Sequence, residues 1–134
     1  CGGGQSGCAE KYVSGTALNR LAQQVHPEWD SYKLFERFTE KDEKSLNIIQ
    51  KFVIDLSVVL INVQNMYDPK AIILGGGVVD SYALWEDMLK QSLKERTKQK
   101  VNVLPSYLGN KAGIYGAARL ALDGIGQNKN KIEV

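Results

Sequence analysis

The first ten residues combine two thiols, a carboxylate and a run of glycines. They read CGGGQSGCAE, which places Cys1 and Cys8 at the ends of a glycine-rich stretch and Glu10 directly after it. Thiolates bind zinc, but a closed structural zinc site needs four ligands. Two cysteines this close in sequence could also stay reduced or close a small loop as a disulfide. The spacing leaves all three possibilities open.

A second glycine cluster lies in the middle of the chain, at Gly75–Gly77. The surrounding residues 72–81 read IILGGGVVDS, an apolar run followed by three glycines and a possible helix start. Glycines let a backbone approach a ligand closely, and exposed amides near a helix N-terminus attract a phosphate or another anion. The spacing fits neither the dinucleotide fingerprint nor the P-loop. From these residues alone, a structural turn and a nucleotide site are equally well supported.

The composition and net charge of the chain indicate its general class of protein. The chain has 134 residues, of which 43% are hydrophobic and 24% are charged, and its net charge is +2. These values fit one globular domain and argue against disorder, a nucleic-acid-binding patch or a membrane-surface protein. Two cysteines are too few for a disulfide-rich secreted domain, so a cytoplasmic protein is expected. The start at Cys1, inside a glycine-rich loop, indicates a piece of a longer protein.

Helical periodicity dominates the first half of the chain. Ser14 is a suitable N-cap for a helix that should end at His26, because Pro27 disfavours the helical conformation in the residue before it. A short helix is predicted to begin at Ser31. The strongest prediction is a long, largely buried helix over Glu40–Met66, where apolar residues recur every three or four positions.

Two short strands and two helices are predicted after the long helix. Ala71–Leu74 is predicted to be a fully buried strand, and Val101–Leu104 a second strand that ends at Pro105. Between them, a helix from about Ser81 to Lys98 should present one apolar face, which comprises Leu84, Trp85, Met88, Leu89 and Leu93. A last helix should follow Asn110 and give way to a polar tail from Gly124. This order predicts an α/β fold with parallel strands, and two strands alone suggest missing sheet partners.

Four segments resemble motifs of the ROK family (repressors, open reading frames and sugar kinases). Residues 1–10 resemble its C-x-C-G-x-x-G-C-x-E stretch, and residues 10–17 (EKYVSGTA) resemble its E-x-Y-x-S-G-x-A. Residues 68–78 (DPKAIILGGGV) resemble its N-P-x-x-I-V-L-G-G-G-V, and residues 108–118 (LGNKAGIYGAA) resemble its L-G-x-x-A-G-x-x-G-A-A. The four matches occur in the family's order and cover the chain to near Leu122.

The resemblance implies a fold and a set of site residues. ROK proteins have an actin-like, ribonuclease H-like fold of two lobes, with ATP and a sugar in the cleft between them. Residues 1–123 would form a helix-rich C-terminal lobe with short parallel strands, and residues 124–134 a polar tail. Glu10 matches a residue that hydrogen-bonds a sugar hydroxyl, and Gly75–Gly77 match a turn near the adenosine.

The resemblance also bears on metal binding. In the family, three cysteines of the first stretch and an upstream histidine bind a structural zinc. Cys1 and Cys8 match the first and third of these cysteines, whereas Gly3 stands at the position of the second. His26 does not match the ligand position and is expected to be a surface residue at a helix end. Either the intact protein has lost its zinc or another residue completes the site, and a degenerate site at Cys1 and Cys8 that has lost its zinc is expected.

The family contains sugar kinases and transcriptional regulators, which give two hypotheses for the function of this chain. A third hypothesis is a role in assembly alone. The preferred hypothesis is a sugar kinase that phosphorylates a hexose with ATP and magnesium. The chain alone should be inactive, because the family's general-base Asp and phosphate motif lie upstream of these residues. The second hypothesis is the sugar-sensing body of a transcriptional regulator, which would contact DNA through an upstream helix-turn-helix. The third is an assembly module, consistent with a homo-oligomer.

Overall fold

The computed structural model describes residues 2–129, and within this range helices dominate. Two short strands lie in the second half, and a 3₁₀ turn precedes each of the last two helices. The helices are α1 (Glu10–Val13), α2 (Gly15–Val25), α3 (Ser31–Thr39), α4 (Glu43–Tyr67), α5 (Tyr82–Arg96) and α6 (Ala112–Lys129). The strands are β1 (Ile72–Leu74) and β2 (Val103–Pro105), and the 3₁₀ turns are Gly77–Ser81 and Gly109–Lys111.

Helix boundaries follow the capping residues. Ser14 accepts a hydrogen bond from the Ala17 amide at 3.0 Å and begins α2, and His26 ends that helix before Pro27, as predicted. The long helix α4 begins at Glu43 rather than at residue 40, because Asp42 is its N-cap. The Asp42 carboxylate accepts hydrogen bonds from both the amide and the hydroxyl of Ser45, at 2.9 and 3.0 Å.

The hydrophobic core forms where α4 packs against α2, α3 and α5. Trp85 of α5 makes edge-to-face ring contacts with Phe52 of α4 at 5.7 Å and with Tyr82 at 4.8 Å. Ser92 donates a buried hydrogen bond to Ser57 at 3.0 Å, which joins α5 to α4. The core also contains aliphatic residues from these helices, including Leu18, Leu34, Ile49, Val53, Leu60 and Leu89.

Helix α4 is the one element among residues 2–129 that is long and apolar enough to span a membrane by length and composition. A single helix of this kind is weak evidence for a membrane span. Ile49, Phe52, Val53, Leu56 and Leu60 of α4 are buried in the core that it shares with the neighbouring helices. We therefore describe α4 as a core helix.

The two strands pair in parallel through the crossover that α5 provides, as predicted. Ile72 is opposite Val103, and Ile73 is opposite Leu104. The prediction that Ala71–Leu74 forms a fully buried strand is wrong, because Ile73 is 69% exposed. In the second strand, Leu104 is 46% exposed. Side chains alternate between the faces of a strand. Helices cover only the face that carries Ile72 and Val103, so the opposite face lies open.

The buried face of α5 differs from the apolar face that the sequence predicted. Leu84, which was predicted to share one apolar face with Trp85, Leu89 and Leu93, is 43% exposed, whereas Tyr82 and Ser92 are buried with those three residues. The 3₁₀ turn Gly77–Ser81 leads directly into this helix, which begins at Tyr82.

The last helix, α6, begins after the 3₁₀ turn Gly109–Lys111 and remains largely exposed. Ile114, Tyr115, Leu120 and Leu122 are each more than half exposed. The helix continues through Lys129, past the start of the predicted polar tail at residue 124. Residues 130–134 of that tail lie outside the described residues.

Candidate functional site

Glu10 lies at the start of α1, a helix of only four residues. The turn is closed by backbone hydrogen bonds from the Lys11 amide to the Cys8 carbonyl and from the Tyr12 amide to the Ala9 carbonyl, both at 2.9 Å. The Glu10 side chain is exposed. Among residues 2–129, no hydrogen bond or ion pair occupies its carboxylate. This carboxylate is therefore available to accept hydrogen bonds from a ligand.

The glycine turn follows β1 and presents its backbone to solvent. Gly75, Gly76 and Gly77 are all exposed. Gly76 has φ of 92°, a conformation that side chains with a Cβ atom rarely adopt, so a glycine is needed at this position. A Cβ atom added at Gly75 or Gly76 would meet no atom within 4 Å. The surface of this turn therefore has room for a ligand to approach the backbone.

The junction between α1 and α2 comes close to the glycine turn in three dimensions, although about sixty residues separate them in the chain. Ser14 and Gly15, at the junction between α1 and α2, share a cavity of about 240 Å³ with Gly75–Gly77. A Cβ atom added at Gly15 would lie 3.4 Å from Cγ2 of Val78, so the junction sits closely against the turn. Phe52, Leu56 and Trp85 also line the cavity and make its lining mainly apolar.

A smaller cavity of about 130 Å³ lies beside Glu10. Its lining includes Glu10, Thr16 and Arg20. Arg20 of α2 donates a hydrogen bond to the backbone carbonyl of Lys11 at 2.5 Å. The helical pattern placed Arg20 on the polar side of α2, and sequence spacing carries no signal for this contact with α1.

The cysteine stretch lies only partly within the described residues. Cys1 is outside them, so the pairing of Cys1 and Cys8 at a metal stays a prediction. The Cys8 thiol is partly buried and donates to the Gln5 carbonyl at 3.9 Å. In the described part of the chain, no three His, Cys, Asp or Glu side chains are grouped to hold a metal ion. The donors found there therefore do not fit a four-ligand structural zinc.

His26 lies elsewhere, at the end of α2. Its ring stacks on Trp29 with centroids 6.0 Å apart, and its Nδ1 accepts a hydrogen bond from the Glu28 amide at 3.4 Å. The residue is exposed, in agreement with the expected surface position.

Comparisons with known proteins connect these sites to a family. The sequence profile of the ROK family matches residues 1–124. The chain is 31% identical over 126 residues to N-acetyl-D-glucosamine kinase from Histophilus somni, of which it covers 41%. It is also 26% identical over 127 residues to the xylose repressor from Bacillus subtilis, of which it covers 33%. These alignments span 91% and 92% of this chain, respectively.

Solved structures agree with the sequence comparison. A ROK family glucokinase from Streptomyces griseus, in complex with glucose and AMPPNP, matches 90% of this chain with a TM-score of 0.77 and 29% identity. The ROK hexokinase from Thermus thermophilus matches 90% of it with a TM-score of 0.76 and 28% identity. The chain covers 46% and 42% of these two proteins.

The structural likeness confirms the expected fold class, a helix-rich α/β part of an actin-like ATPase fold with a short parallel sheet. The chain spans less than half the length of each relative named above. With a family profile that matches residues 1–124, this chain belongs to the ROK family.

Proposed function

We propose that residues 1–123 form the C-terminal lobe of a ROK sugar kinase that transfers phosphate from ATP to a hexose. The observation that carries this proposal is the shared cavity between the α1–α2 junction and Gly75–Gly77. A kinase must hold its sugar and its nucleotide side by side. The proposal is supported by Ser14 and Gly15, which share this cavity with Gly75–Gly77 and follow Glu10 by only a few residues, while Glu10 itself lines a neighbouring cavity that also includes Ser14. Residues 124–134 would form the polar C-terminal end of the lobe, in which α6 continues through Lys129.

Each motif has a separate role in this proposal. Glu10 accepts hydrogen bonds from sugar hydroxyls, and a charged acceptor strengthens such bonds. Gly75–Gly77 form the surface on which the adenosine part of ATP lies, since their backbone is exposed and the space beside Gly75 and Gly76 is open. Magnesium, bound with the nucleotide, would supply charge neutralisation for the transferred phosphoryl group.

The proposal assigns the remaining catalytic groups to the rest of the longer protein. A general base for the sugar hydroxyl and a phosphate-binding motif are needed for phosphoryl transfer. The motifs matched in residues 1–124 supply neither group, so the 134-residue chain alone is expected to be inactive. A protein of this kind would work in the cytoplasm, where ATP is available.

The alternative function is sugar sensing in a transcriptional regulator. The observation that favours it is the match with the xylose repressor, which covers 92% of this chain. In that case, Glu10 would bind an inducing sugar without turnover, and DNA contacts would come from another part of the protein. A third alternative, an assembly module, draws on the exposed apolar side chains of α6.

The test replaces Glu10 with Gln in the longer protein that carries this chain. Calorimetric titration with glucose, N-acetylglucosamine and xylose should show the affinity for the bound sugar falling by about tenfold or more, since a hydrogen bond to a charged group is lost. Glu28→Gln, at another exposed glutamate, is the matched control and should leave the affinity unchanged.

A measurement of ATP turnover distinguishes the sugar kinase from the sugar-sensing regulator. Release of ADP that depends on one of these sugars supports the kinase, whereas sugar binding without ADP release supports the regulator. Absence of binding by all three sugars, or an unchanged affinity in Glu10→Gln, would contradict the role of Glu10. Sugar phosphorylation by the isolated 134-residue chain would contradict its expected inactivity.

A further inference from the structure

Helix α1 lacks the features that usually stabilise a helix on its own. It has four residues, its N-cap position is Ala9 with no side-chain capping bond, and none of its residues is buried. A single helical turn is only marginally stable in water without tertiary contacts. The conformational entropy lost in forming the first turn exceeds the free energy gained from its hydrogen bonds. The position of Glu10 therefore depends on contacts that other elements make with α1.

Arg20 makes such a contact from the neighbouring helix. Its guanidinium donates to the Lys11 carbonyl of α1 at 2.5 Å. The carbonyls of the last helical turn have no partners within a helix, and a positive charge near them is favourable. Helix α2 is itself well fixed, because Ser14 caps it and Ala17 and Leu18 are buried. Arg20 thus connects a short, exposed turn to a helix that belongs to the core.

The same side chain lies next to the carboxylate that we assign to sugar binding. Glu10 and Arg20 line one cavity of about 130 Å³. Both side chains are exposed, and no ion pair joins them among the described residues. The arginine is therefore engaged with the backbone of α1 and leaves the carboxylate of Glu10 open to a ligand.

We infer that Arg20 is a positioning residue for sugar binding, which holds α1 through the Lys11 carbonyl and so fixes the place of Glu10. This inference rests on the proposed function of Glu10. It extends that proposal, since the residue acts on the sugar through the backbone of α1 and touches neither the sugar nor the nucleotide.

The test compares Arg20→Met and Arg20→Lys in the longer protein. In Arg20→Met, the amides of Lys11, Tyr12 and Val13 should exchange hydrogen faster, and the dissociation constant of the sugar should rise about three- to tenfold as one hydrogen bond is lost. The nucleotide dissociation constant should stay unchanged. Arg20→Lys keeps the charge and a hydrogen-bond donor. It should therefore increase both amide exchange in α1 and the sugar dissociation constant less than Arg20→Met does. Arg96→Met, at an exposed arginine of α5, is the matched control.

Several outcomes would overturn the inference. Unchanged amide exchange in α1 with weaker sugar binding would mean that Arg20 contacts the sugar directly. Equal losses of sugar and nucleotide affinity, with a lower melting temperature, would mean a general structural role. If the unaltered protein binds no sugar, the proposed function fails, whereas the exchange measurement still decides whether Arg20 holds α1.

Discussion

At the scale of single residues, Asp42 shows how one carboxylate fixes the start of the longest helix. It accepts hydrogen bonds from the Ser45 amide and hydroxyl, and these bonds hold its pKa below the ordinary value of 3.8. Burial raises this pKa and so opposes the two hydrogen bonds, whereas the positive charges of Arg37 and Lys44 make smaller contributions that lower it. The charged form of Asp42 is therefore favoured in the folded protein.

A pH dependence follows from the direction of this shift. Since the folded pKa of Asp42 lies below the unfolded pKa, its contribution to stability is complete above the unfolded value and is lost as pH falls through the folded value. The test measures the free energy of unfolding by denaturant titration, from neutral pH to below 3.8, for the unaltered protein and for Asp42→Asn. The amide of Asn can still accept from Ser45 but does not titrate.

The stability difference between these two proteins should therefore shrink as the pH drops below the ordinary carboxyl pKa. A difference that stays constant over the whole series would contradict the assigned role of the Asp42 charge.

At the scale of elements, two serines at equivalent positions have different functions. Ser14 and Ser81 both occupy the N-cap position of a helix, α2 and α5 respectively. Ser14 accepts a hydrogen bond from the Ala17 amide, whereas Ser81 makes no side-chain capping bond, because the 3₁₀ turn Gly77–Ser81 runs directly into α5. Only α2 therefore depends on its serine cap.

Replacing each serine with alanine tests this difference. Ser14→Ala should lower the free energy of unfolding by about 1 kcal/mol, the usual cost of losing a helix cap. Ser81→Ala serves as the control and should change the same quantity by less than about 0.5 kcal/mol. Equal losses in the two variants, measured by urea denaturation, would show that the capping bond of Ser14 does not stabilise α2.

At the scale of the whole molecule, two apolar surfaces are left open. One is the outer face of the sheet, with Ile73 and Leu104, and the other is α6, with Ile114 and Leu122. Exposed apolar surface of this extent usually marks a site of contact. This chain covers between 33% and 46% of the relatives named above, and their additional length is available to cover such surfaces.

The isolated 134-residue chain should therefore self-associate through α6. Sedimentation velocity is expected to show a mass that increases with concentration. The double variant Ile114→Gln with Leu122→Gln should shift the chain toward monomer, because burial of these two side chains no longer favours contact. Leu84→Gln, at an exposed leucine of α5, is the control and should leave the association unchanged. A monomer at every concentration would contradict both this prediction and the assembly module.

Much of this architecture follows from local sequence. The cap at Ser14, the helix end before Pro27 and the apolar periodicity of α4 are properties of neighbouring residues, so their predictions were confirmed within a few positions. The parallel pairing of β1 and β2 follows from their order along the chain with a helix between them. The four motifs identified the family, because each is a continuous stretch of residues.

Tertiary structure decided the rest. Ile73 is apolar but exposed, because helices cover only one face of the two-stranded sheet, and Leu84 is exposed because it lies outside the buried face of α5. The contact between Arg20 and the Lys11 carbonyl depends on how α1 and α2 pack together. No periodicity encodes these contacts, because they join residues whose distance apart is set only when separate elements come together in the folded chain.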